Sequence, residues 1–158
     1  MRQLNGRALL LTFMICLAAA IGGTLLVGNG LEGWFATLVK PALLIPLPLF
    51  YLVGGIYYLL FGVVLYRILT QLGGQTRTVA LSWAITVMVL NELWNWVLFG
   101  WQSTQAGFVG IAIFLLPVVV LATLLWSQER LAAWLVLIYA GWVVYDLAWT
   151  YQLWQLNG

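Results

Sequence analysis

The 158 residues are 65% hydrophobic and 6% charged, carry a formal net charge of +2 and include no histidine. Such a chain cannot clothe itself in a water-soluble surface, and its apolar runs reach spanning length, since about 20 helical residues cross a hydrocarbon core of roughly 30 Å. The missing histidine excludes His-based nucleophiles and bases, Cys/His zinc sites and proximal-histidine haem ligation, while the lone Cys16 excludes an internal disulfide.

The runs are apolar on all sides rather than alternating, which selects helices over an outer-membrane barrel. The expected fold is an all-α membrane protein, a five-transmembrane-helix bundle forming a single domain over 1–158. The first span covers 8–28; its apolar run continues through "TLLVG" to full length, so it reads as a helix and not as a cleaved signal. After the turn-forming "KPALLIPLP", the second span covers 47–70. The third covers 78–100 and the fourth 106–127, with Pro117 as a kink that neighbouring helices absorb. The fifth covers 131–154.

Arg2, Arg7, Arg67, Arg77 and Arg130 fall on one side of this arrangement and only Lys40 on the other. The positive-inside rule then puts the N-terminus in the cytoplasm, and the C-terminus and first loop on the outer or periplasmic side. Trp83, Trp101, Trp126, Trp134 and Trp154 lie near span ends, where indoles anchor a helix at the interface. Small residues at Ala18, Gly22, Gly54, Gly62, Gly107 and Gly110 suit close helix contacts, within the bundle or across a homodimer face.

Ionisable groups at bilayer depth are costly, so they face the protein interior or a cavity. Glu92 and Asp146 each lie about eight residues, or about 12 Å, from the outer end of a span, close enough in depth to share one pocket. Asn91, Trp94, Asn95 and Leu98 form one face of the third span, bordered by Glu92 and Trp96. Tyr139, Trp142, Asp146 and Trp149 form one face of the fifth. Facing each other, these stripes would enclose a cavity with flat aromatic walls and few polar anchors, suited to a planar amphipathic ligand.

Several of these spacings resemble the translocator protein / tryptophan-rich sensory protein (TspO/MBR) family. Trp34 stands six residues before Lys40-Pro41, matching W-x5-K-P; Pro46, Phe50, Tyr58 and Arg67 follow at the family's distances. "NELWNWVLFG" reproduces N-x2-W-x4-F-G, and Tyr139-x2-Trp142 with a late Asn157 matches the fifth helix. The chain departs from the pattern at "ALLIPLP", which lacks the lid aromatics, at Ile138 and Trp96 where prolines are usual, and at Trp149-Thr150 for a leucine-asparagine pair. Glu92 and Asp146 have no counterpart among the family's hallmarks.

The resemblance implies a five-helix bundle, often dimeric, with a cavity opening toward the first loop. It also implies a porphyrin such as protoporphyrin IX as ligand, with sterol-like or other planar hydrophobic molecules as further partners. Trp34, Lys40, Asn91, Trp94, Asn95, Tyr139, Trp142 and Asp146 are the expected ligand-binding residues, the family's positions and the helical stripes together. Tetrapyrrole binding or sensing in regulation or stress response is the first expectation. Light-dependent porphyrin breakdown, with Trp34 or Trp142 as the reacting indole, and transport of porphyrin or lipid-like molecules are the alternatives. Surrounding lipid and a homodimer are expected partners; nucleic acid, metal and an obligatory cofactor are not.

Overall fold

A computed structural model describes residues 4–158; Arg2 lies outside the described residues. The chain is all helical: α1 (Gly6–Val27), a single-turn α2 (Trp34–Thr37), α3 (Leu47–Gln71), α4 (Gly74–Asn95), α5 (Thr104–Trp126) and α6 (Arg130–Asn157). A π-helical turn, Trp96–Gly100, extends α4. Local chemistry explains the boundaries. Asn5 caps α1 by accepting the Ala8 amide (3.1 Å), and Ser103 caps α5 by accepting that of Ala106 (3.2 Å). Pro48 opens α3, where a missing N–H costs nothing, and Gly28 ends α1 with a positive φ of 52° that suits glycine. α5 passes through Pro117 without a break.

Helices α1, α3, α5 and α6 are long and apolar enough to cross a membrane. α4 is as long as α1 but carries Arg77, Asn91, Glu92 and Asn95. α1 packs on α3 and α4, α3 on α6, α6 most extensively on α5, and α5 on α4, closing a ring. Its interior holds Phe61, Leu65, Ile68, Leu121, Val136 and Trp149, all without exposure. The outer face is apolar too: Leu10, Leu59 and Ile113 are 63%, 73% and 62% exposed. An oily interior inside an oily exterior is the signature of a body dissolved in lipid.

Arg7, Arg67, Arg77 and Arg130 gather at one end, where the Asn5 amide donates to Tyr66 Oη and Arg67 pairs with Glu129 at 2.8 Å. Lys40 lies at the other end, beside the C-terminus of α6. Trp101, Trp126 and Trp134 are exposed near helix ends, whereas Trp83 and Trp154 are partly buried, Trp154 stacked on Phe108 at 5.5 Å. Close contacts fall at Gly107 and Gly110, where an added Cβ would meet Leu98 and Trp94, but at Gly23 instead of Gly22. Beside Gly22 and Gly54 there is open space, so those two are not contact points.

Candidate functional site

The helical face Phe50, Val53, Gly54 and Tyr57 of α3 meets Asn91, Trp94 and Asn95 of α4 and Tyr139, Trp142 and Asp146 of α6 around a cavity of about 490 Å³. Phe99 and Tyr145 complete this wall. The volume falls in the range of small-molecule sites, roughly 300–1,000 Å³. Aromatic contacts brace the wall: Tyr57 to Tyr139 (5.0 Å between centroids) and Trp142 to Tyr145 (4.8 Å) are tilted, and Phe50 meets Trp142 edge-on (6.4 Å). Ile56 and Ile138, 50% and 63% exposed, border the cavity, so it opens sideways between α3 and α6.

Hydrogen bonds hold the polar wall residues in place. Tyr139 Oη donates to Asn91 Oδ1 (2.7 Å), and Asn91 Nδ2 donates to Glu92 Oε1 (3.1 Å), which also accepts Tyr58 Oη (2.9 Å). Asn95 Nδ2 donates to the Asn91 carbonyl (3.1 Å), and Trp94 Nε1 to the Gly107 carbonyl (2.9 Å). Asp146 is 4% exposed; its Oδ1 accepts Trp149 Nε1 at 2.7 Å. These amide and indole donors are thus engaged by protein acceptors.

Of the residues expected from sequence, Asn91, Trp94, Asn95, Tyr139, Trp142 and Asp146 are brought together on the wall, and Trp34 and Lys40 are not. Trp34 begins α2, whose neighbouring Phe35 is the buried anchor, edge-on to Phe99 (5.2 Å) and Trp149 (6.2 Å). Lys40 Nζ is held by the carbonyls of Phe35 and Leu38 and sits 4.2 Å over the Phe35 ring, so its reach is spent within its own loop. Partial burial pushes its ammonium below the ordinary pKa. Glu92 does not share a pocket with Asp146: its carboxylate turns toward α1, against Gly23.

The first loop, toward which the resemblance implies an opening, borders the cavity without lining it. Among the described residues the wall takes none from 28–46, and that loop is latched down. Asn157 clamps the Val39 backbone from both sides, accepting its amide (2.8 Å) and donating to its carbonyl (3.0 Å). Tyr145 Oη donates to the Leu43 carbonyl (2.8 Å) and accepts the Ile45 amide (3.1 Å). Sequence reasoning missed Val53, Gly54, Tyr57, Phe99 and Tyr145 as wall residues. The i, i+3, i+4, i+7 spacing of Phe50, Val53, Gly54 and Tyr57 was the available signal for α3. Phe99 follows Asn91 and Asn95 at i+8 and i+4, so helical spacing was its signal, and it lies in the π turn that ends α4.

Apolar helices with an aromatic-walled cavity between them define a multi-pass integral membrane protein. The profile of the TspO/MBR family matches residues 12–155, and the chain belongs to that family. It is similar to the tryptophan-rich protein TspO of Archaeoglobus fulgidus, at 27% identity over 98% of this chain and 99% of the relative. It is also similar to protein CrtK of Rhodobacter capsulatus, at 26% identity over 92% and 89% of the two chains.

Proposed function

We propose that this protein binds and senses a tetrapyrrole within the membrane, taking a porphyrin such as protoporphyrin IX into the cavity between α3, α4 and α6. The observation that carries the reading is the wall itself: Phe50, Tyr57, Trp94, Tyr139 and Trp142 present aromatic surface around about 490 Å³. Flat rings stack on such walls, and the sideways opening admits a ligand already dissolved in lipid. Latches from Tyr145, itself a wall residue, to the first loop offer a route by which occupancy alters the bundle's outer surface.

In this reading α4 is the fifth span. Its 22 residues reach about 33 Å, enough to cross, and its polar groups Asn91 and Glu92 turn inward. The arginine-rich end lies in the cytoplasm, and Lys40 with the C-terminus lies outside or in the periplasm. Titration of purified protein with protoporphyrin IX, followed by tryptophan quenching, tests the assignment. Saturable quenching that weakens in W142F and W94F is expected; an unsaturable response that is the same in both variants refutes it. Light-dependent porphyrin breakdown is a second reading, favoured at Trp142 because that indole lies on the wall while Trp34 does not. It requires a new absorbing product on illumination that W142F loses and W34F keeps.

A further inference from the structure

One hydroxyl on the cavity wall has no acceptor within the protein. Tyr57 is 6% exposed, its ring lies 5.0 Å from that of Tyr139, and its Oη has no hydrogen-bond partner among the described residues. Its neighbours are served: Tyr139 Oη donates to Asn91 and Tyr58 Oη to Glu92. A buried hydroxyl without a partner is costly, and such a group is retained where an acceptor from outside the chain meets it. A second donor stands further along the same wall. Asp146 is 4% exposed and accepts the indole N–H groups of Trp149 and Trp142. Among the described residues no basic side chain lines the cavity, and burial without a cation favours the neutral carboxyl. Both indoles can only donate, so the O–H of that acid is left for what the cavity holds.

We propose that the cavity takes a lipid-soluble para-quinone, whose two carbonyl oxygens accept hydrogen bonds from Tyr57 on α3 and Asp146 on α6. Tyr57 lies level with Tyr139, and Asp146 is two helical turns further along α6, a separation of about 10 Å at 1.5 Å per residue. A para-quinone carries its acceptors on opposite edges of one flat ring. With a hydrogen bond of about 2.7 Å at each end, it spans about 11 Å from donor to donor. The ring is uncharged, which suits a wall without a cation, and Trp94, Tyr139 and Trp142 offer aromatic surface to its faces. A hydrocarbon tail on that ring leaves between α3 and α6, past Ile56 and Ile138, into the acyl chains. The quinone is a ligand class separate from the tetrapyrrole, and its assignment does not rest on that reading.

Two probes of matched ring area test the assignment: a para-naphthoquinone methylated at both free positions of its quinone ring, so that Cys16 cannot add to it, and the corresponding dimethylnaphthalene, which has no carbonyl. Equilibrium dialysis measures both on the full chain in detergent micelles, with protein-free micelles as the blank, for the wild type, Y57F, D146L and D146N. Each neutral hydrogen bond is worth roughly twofold to tenfold in affinity, so the wild type prefers the quinone by about tenfold or more. Y57F keeps the ring and drops the unpartnered hydroxyl; it loses severalfold of that preference and binds the hydrocarbon as the wild type does. D146L also loses severalfold, whereas D146N, whose amide can donate, stays within about twofold of the wild type. Y57F carries the test if D146L fails to fold. Unsaturable uptake of the quinone by the wild type, no preference over the hydrocarbon, or a preference undiminished in Y57F overturns the assignment. The porphyrin titration is judged separately, so either reading can fail without the other.

Discussion

Replacing Gly23 by alanine tests the buried polar network at its tightest point. A Cβ on Gly23 would collide with the Glu92 carboxylate, the acceptor of Tyr58 (2.9 Å) and Asn91 (3.1 Å). Displacing it costs about 1–3 kcal/mol in overpacking and about 1–3 kcal/mol in disrupted buried hydrogen bonds, against a gain of about 1 kcal/mol from alanine in a helix. The net expectation is a loss of about 1–5 kcal/mol. The neighbouring G22A meets open space and should be neutral or stabilising by up to about 1 kcal/mol. Unfolding of the micelle-solubilised protein, followed by tryptophan fluorescence, compares the two. In an E92A background the obstacle is gone, and G23A should cost little, giving a coupling of about 2 kcal/mol or more. Equal stability of G22A and G23A, or an undiminished penalty in the E92A background, refutes the reasoning.

Removing the cavity indole in W142A should raise the dissociation constant for protoporphyrin IX by roughly tenfold or more, the scale of one lost stacking partner, while W34F and K40M stay within about twofold of wild type. The three titrations check whether the site is the helix wall or the loop. N157A removes both hydrogen bonds to Val39, and Y145F removes those to Leu43 and Ile45. Hydrogen exchange at the Val39 amide should accelerate roughly tenfold in the first variant, and at Ile45 similarly in the second, for bonds worth about 1 kcal/mol each. W94F should lower stability by about 1 kcal/mol, because the indole hydrogen bond to Gly107 is lost while that carbonyl keeps its partner in the α5 ladder, and a melt of that variant measures it.

Composition determined the membrane-embedded class, and the unbroken apolar runs selected helices over a closed barrel, the other structure that satisfies its backbone in lipid. Helical spacing brought Asn91, Trp94 and Asn95 to one face and Tyr139, Trp142 and Asp146 to another, since 3.6 residues per turn is a property of the backbone itself. What spacing could not supply was rotation about each helix axis and the path of the loops. Those depend on how all the side chains interdigitate. The choice of Gly23 over Gly22 as the contact point, the turning of Glu92 toward α1 and away from the cavity, and the exclusion of Trp34 and Lys40 from the wall were decided by that packing. So was the π turn at the end of α4, where Gly100 approaches the Leu26 carbonyl and Gly30 the Phe99 carbonyl, contacts between residues far apart in the chain.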